Sequence, residues 1–368
     1  MTASPSLSAP PPPTVILPTN PVLAAPEPTT HTPATTGAMP SATSGSQPAP
    51  LGSSEAPGGD PEQLPDEPAS SSPAADAGPT ASGVSGGDGG FSIDLVFDDD
   101  QQPDKIVADA FESARSRWQT VITGDVPDAH VDPSFTCGDY SLPAQVDDLV
   151  IFVSVGAIDG PGQILGASAP CVLRGKGAQL PVAGLMRFDS ADLSRFAELG
   201  RLEEVILHEM GHVLGVGSLW TQHDLLLDPA VDDSGDADTA FEGQRAIAEF
   251  DALGGDDYDG SKVPVENTGG DGVANGHWRE SVMGNELMTP FMSQAKGRLS
   301  TITIASLEDL GYEVSYDGAD EYAWPPPRNT IAGFGTADVD STPIDLSKDR
   351  LQIPLGLLDE SGFVHPLR

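Results

Sequence analysis

From residue 91 onward the chain switches between two hydrophobic periods, and each switch marks an element. In "FSIDLVF" (91–97), Phe91, Ile93, Leu95 and Phe97 share one face, the alternation of a half-buried strand. After Pro103, "DKIVADAFESARSRWQTVITG" repeats Val107, Ala110, Phe111, Ala114, Trp118 and Val121 at helical spacing, and Gly124 is the expected stop. "LVIFVSVG" (149–156) and "VAGLMRF" (182–188) read as strands, and "RLEEVILHEMGHVL" predicts a helix over about 201–214. A long Asp- and Gly-rich stretch, about 221–276, holds one helical piece, "GQRAIAEFDALGG". The next helix is expected over 301–310, capped by Ser300, stapled by Leu299 and Ile304, and ended by Gly311. Strand, helix, strands, helix implies an α+β layering with the 201–214 helix lying against a sheet. "WPPPR" from Trp324 breaks regular structure, so 324–368 is expected to be a peripheral C-terminal tail.

Residues 1–90 follow neither period. They hold no Phe, Trp, Tyr, Lys or Arg and carry 19 of the 35 prolines among Ser, Ala, Thr and Gly. Such a segment cannot bury enough apolar surface to offset its conformational entropy, and a disordered tail is expected. The ordered part is then 91–323, with 221–276 as an insertion.

Charge narrows the partners. A net charge of −39 with 17 Lys plus Arg repels nucleic acid and anionic membranes. No apolar run reaches the ~20 residues that span a bilayer, and the N-terminus lacks the basic and apolar regions of a secretory signal. Cys137 and Cys171, the only cysteines, lie outside any CxxC pattern. They are read as a disulfide, two reduced core thiols being the alternative. The bond implies an oxidising compartment.

The candidate chemistry sits in "VILHEMGHVLGVGSLW" (205–220). On a helix His208 and His212 lie one turn apart on one face, able to share a cation, while Ile206, Met210 and Val213 face the core. Glu209, beside the first histidine, suits a general base acting on a water. Gly215 suits a helix exit through positive φ. A catalytic zinc takes three protein ligands at about 2.0–2.1 Å plus water, and Ser218 stands six residues after His212. The third ligand must come from elsewhere. His277, in "ANGHWRESVMGNELMTPFM", eleven residues before Met288, has the best context; His130, His223, Asp224, Glu242, Glu249 and Glu266 remain open.

HEMGHVLGVGSLW, the long insertion, GHWRESVMGNELMTP and the helix in LSTITIASLEDLGYEV together resemble the leishmanolysin-like metallopeptidases, a metzincin branch, over about 91–323. The resemblance implies a metzincin-like zinc peptidase domain: a twisted sheet packed on helices, an active-site helix and a C-terminal Met-turn subdomain. It implies one catalytic zinc held by His208, His212 and His277, with Glu209 as base and Met288 as the Met-turn residue beneath. The implied activity is endopeptidase cleavage of protein or peptide substrates by Glu-assisted attack of a zinc-bound water, at an extracellular or cell-surface location. With one possible disulfide and no cysteine-bearing prosegment, the chain looks like a compact bacterial-type relative, and latency is left without a device. Two other functions stay open: a zinc-binding adhesion or interaction protein without turnover, and a zinc hydrolase of non-peptide amides. "DPAVDDSGDAD" (228–238) adds a possible calcium site through Asp228, Asp232, Asp233, Asp236 and Asp238, without EF-hand spacing.

Overall fold

A computed structural model of the chain describes residues 89–98, 102–324 and 344–367, apart from single positions 133, 163, 271, 294, 347, 352 and 354. The expected N-terminal tail lies outside the described residues, save Gly89 and Gly90. The largest sheet among them has six strands, in the order Ile93–Phe97, Leu149–Gly156, Pro181–Asp189, Gly166–Arg174, Gly356–Leu358, Val364–Pro366. The first three are mutually parallel, and Gly166–Arg174 runs antiparallel to Pro181–Asp189.

Both faces of this sheet are covered, so its central strands read as continuous apolar runs rather than alternations. Leu149, Ile151 and Val153 point into the larger core with the helices, while Val150 and Phe152 point into a smaller one. On the helical side lie α1 (Lys105–Val121) and α3 (Leu202–Leu214). They are joined where the buried Trp118 Nε1 donates to the Leu207 carbonyl at 3.0 Å. α3 sits close to the sheet because strand residue 184 is glycine: a Cβ there would come within 2.3 Å of Val213 Cγ1. On the other face Tyr140 stacks on Phe152 at 4.9 Å, and a disulfide joins Cys137 to Cys171. The bridge closes a separation of 34 residues. Replacing both cysteines by serine is expected to lower the unfolding free energy by about 3–4 kcal/mol. A denaturant midpoint left unmoved in the double variant would refute that contribution.

The expected elements at 149–156 and 301–310 form where the periodicity put them, helices Leu202–Leu214 and Gln244–Ala252 form within the expected 201–214 and "GQRAIAEFDALGG", and Ser300 caps the 301–310 helix by accepting from Thr303 N–H. α1 ends at Val121, before Gly124, because the chain turns to extended backbone at Ile122 and there bridges Val314. Two of the longer elements escaped the pattern. "GASAPCVLR" (166–174) is buried along its whole length, but small residues and Pro170 disguise it. α2 (Ser190–Leu199) follows the preceding strand without a break, capped by Asp189.

The described part of the tail expected over 324–368 pairs with the rest of the fold. Ile344–Asp345 pairs with Phe291–Met292, and Gly356–Leu358 runs parallel to Val172–Arg174 on the edge of the main sheet. The reason is an unpaired edge: Gly166–Arg174 offers backbone donors and acceptors, and Gly356–Leu358, with the bridge at Arg350, takes them.

Candidate metal centre

α3 carries the motif and ends where the sequence suggested. Gly215 adopts φ 115°, in the left-handed region, and its N–H caps the Gly211 and His212 carbonyls. Beyond it the chain must cross the segment that bears His277, and only glycine allows the crossing. A Cβ on Gly217 would fall 1.8 Å from the Gly276 carbonyl oxygen. The insertion folds onto a buried aromatic cluster in which Trp220, Phe241 and Trp278 lie 4.4–5.6 Å apart. Trp278 is fixed further by its Nε1 donating to Thr303 Oγ1 (2.8 Å) and its backbone N–H donating to the Met288 carbonyl (3.0 Å). His277, one residue earlier, is thereby delivered to α3.

The three rings meet through Nε2. His212 Nε2 lies 3.1 Å from His208 Nε2 and 3.1 Å from His277 Nε2. Every Nδ1 is engaged by a backbone carbonyl: His208 with Leu287 (2.7 Å), His212 with Val216 (2.8 Å) and His277 with Val273 (3.1 Å). Those bonds put the ring proton on Nδ1 and leave the Nε2 lone pairs converging, an arrangement that a bound cation would stabilise. A fourth atom completes the set. Asp349 Oδ2 stands 3.0 Å from His208 Nε2, 3.0 Å from His277 Nε2 and 3.6 Å from His212 Nε2. Ligands at ~2.0 Å around a tetrahedral ion are about 3.3 Å apart, so the spacing fits a metal of zinc's size.

Burial makes the same point. His208, Glu209, His212, His277 and Asp349 are each at most 1 % exposed. Two carboxyl groups share one dry site, where a divalent cation would favour their ionised forms. Glu209 Oε1 and Asp349 Oδ1 are buried with no hydrogen-bond partner among the described residues. Glu209 Oε2 and the Glu209 carbonyl both lie within reach of Ser168 Oγ, at 2.7 and 2.8 Å. Burial, then the charge of Asp349, pushes Glu209 well above the usual carboxylate range, against the Ser168 hydrogen bond. Burial lowers His212 to about 4, so at neutral pH its ring is uncharged and its lone pair free. Burial opposes ionisation of Asp349, yet the neighbouring His277, His212 and His208 rings together hold it well below the usual range.

Beneath the rings, Met288 is fully buried and packs under α3 at Gly211, where a Cβ would lie 2.8 Å from its sulfur. Its turn is braced by the buried Glu286, which accepts from Met288 N–H (2.6 Å), Ser300 Oγ (2.7 Å) and Thr303 Oγ1 (2.5 Å). The His208 Nδ1 bond to the Leu287 carbonyl ties that turn directly to the first ring.

The other candidates stay apart. His130 is exposed on a short strand, and His223, partly buried with its Nε2 unpartnered among the described residues, is not in the cluster. Glu266 is spent on the backbone N–H groups of Asn267 and Glu280. The aspartates of 228–238 are tied up locally: Asp228 accepts from Asp238 N–H, Asp232 from Ser234 N–H, and Asp233 from Gly270 N–H. Among the described residues they form no metal-sized group, and calcium has no support. Asp349 and Ser168 were missed by sequence reasoning. No motif spacing marks either; the alternation after Asp349 was the one available signal that its segment joins the sheet.

Compared with known proteins, residues 120–330, more than half of the chain, match the profile of the leishmanolysin peptidases. No curated protein matches the chain.

Proposed function

The chain belongs to the leishmanolysin family of peptidases, and from that premise we propose that it is a zinc-dependent endopeptidase. The observation that carries this reading is the convergence of three Nε2 lone pairs, with every Nδ1 committed elsewhere. His208, His212 and His277 would hold the ion. Zinc bound there supplies a lowered pKa for water and polarisation of a carbonyl. With the cation's charge favouring its ionised form, Glu209 would accept the water's proton, for which burial raises its affinity, and return it to the departing amine nitrogen. Ser168 orients that carboxylate. Met288 provides an apolar floor without donating to the ion, the role of a Met-turn residue.

Endopeptidase rather than terminal cleavage is supported by the way the chain itself approaches and leaves the site. Ile344–Asp345 lies beside Phe291–Met292 and residues 349–351 lie beside Ser168, with Asp349 at the centre between them, so a substrate could continue on both sides of the bond cut. An extracellular or cell-surface location is supported by the disulfide and by the family. No helix among the described residues is long and apolar enough to cross a membrane.

Purified protein is expected to carry about one zinc per chain. Prolonged chelation should remove it together with hydrolysis of an unfolded protein substrate, and added zinc should restore both. Hydrolysis that continues undiminished in metal-free protein would end the proposal.

A further inference from the structure

Residues 344–346 and 348–351 cross the metal centre as a strap that turns at Asp349, whose N–H donates to the Leu346 carbonyl at 3.1 Å. On one side Ile344–Asp345 pairs with Phe291–Met292, and the buried Leu346 donates its N–H to the Pro290 carbonyl at 3.0 Å. On the other side the strap joins the edge strand. Ser168 N–H donates to the Asp349 carbonyl at 2.6 Å, and Leu351 N–H donates to the Ser168 carbonyl at 3.0 Å. Asp349 lies between these two anchorages with Oδ2 among the three Nε2 atoms. We infer that this strap is autoinhibitory and that its Asp349 is the fourth protein ligand of the metal, closing the position that a water or a substrate carbonyl must occupy. The inference rests on the peptidase reading above and adds a regulator to it.

Three features make the strap an inhibitor rather than a substrate or a permanent wall. First, a catalytic zinc site keeps one position open, whereas four protein ligands make a closed site. With the strap seated, the three rings, Glu209 and Asp349 are all shut off from solvent. Second, the strap offers no bond to cut. It presents a side-chain carboxylate to the centre, and the carbonyl of residue 349 is turned instead to Ser168 N–H on the sheet edge. Third, its holds are exchangeable. A two-residue ladder and an isolated bridge flank Asp349, and an incoming peptide could replace those backbone bonds one for one. The strap also lies beyond residue 330, where the family match ends, so nothing in the family relationship itself supplies Asp349.

The test uses full-length protein loaded with cobalt(II), whose visible absorption reports its ligands. Acetohydroxamate serves as the probe for an open coordination position. Wild-type protein is expected to resist the probe, while Asp349→Ala changes spectrum on its own and binds acetohydroxamate with half-saturation at least about tenfold lower, because the competent state is no longer a minor population. Asp349→Asn, which keeps the shape but loses the charge, should fall between them and guards against a folding defect in the alanine variant. Peptide hydrolysis by the zinc forms should rise in the same order, again by about tenfold or more. If wild type and Asp349→Ala have the same cobalt spectrum and equal affinity for the probe, the strap is not a ligand and the inference is overturned. If removing Asp349 abolishes metal binding instead of opening the site, Asp349 is a structural ligand and the inhibitory role falls. Should the variant open to the probe yet cleave no peptide, the strap stands and the peptidase reading fails. Equal hydrolysis by wild type and variant gives the opposite result, with the peptidase reading intact and the strap refuted.

Discussion

Glu209→Gln is expected to keep its metal and lose turnover by about 100- to 10,000-fold, the usual contribution of a positioned general base. The substitution preserves size and the contact with Ser168 Oγ, 2.7 Å away in the native protein, while removing the ability to accept a proton. Burial and the neighbouring Asp349 charge favour the protonated form of Glu209 as the structure stands. A neutral amide in its place should therefore be tolerated by the fold. The comparison is made in the Asp349→Ala background, where the strap no longer masks the rate, with zinc content measured in parallel. A double variant that cleaves as fast as Asp349→Ala alone would remove Glu209 from the chemistry. Loss of zinc from Glu209→Gln would mean that the carboxylate holds the ion.

His277→Ala is expected to weaken zinc binding by more than about 100-fold, beyond what loss of an outer hydrogen bond would cost. The ring is fully buried, its Nδ1 is committed to the Val273 carbonyl, and its Nε2 faces both His212 and Asp349. Removing it leaves His208, His212 and the strap's carboxylate. Residual binding should then depend on Asp349 and disappear in the His277→Ala, Asp349→Ala double variant. Competition against a chromophoric chelator measures both steps. An affinity for zinc unchanged in the single variant would show that the remote ring is no ligand.

Legibility followed the range of the interaction. Helix α3 could be read because its apolar face, its paired histidines and its closing Gly215 are all local, and the structure has them on one buried helix with φ 115° at the glycine. Ser300 capping the 301–310 helix was legible for the same reason. The Gly166–Arg174 strand was not, since burial on both faces removes the alternation that announces a strand and Pro170 argues against one. His277 had only context to recommend it. No spacing rule connects residues 65 apart, and the junction depends on two glycines, 217 and 276, meeting backbone to backbone.

The sequence by itself determined the helical turn that pairs His208 with His212, the acid beside them, the helix caps and the apolar faces that make a core, because each depends on neighbours a few residues away. Tertiary structure alone decided which distant ring would join them and that a segment expected at the periphery would carry Asp349 into the centre. It also decided that Ser168 would face Glu209. Those choices are made by a sheet edge seeking a partner and by side chains packing across more than a hundred residues of chain, and neither leaves a periodic mark in the order of amino acids.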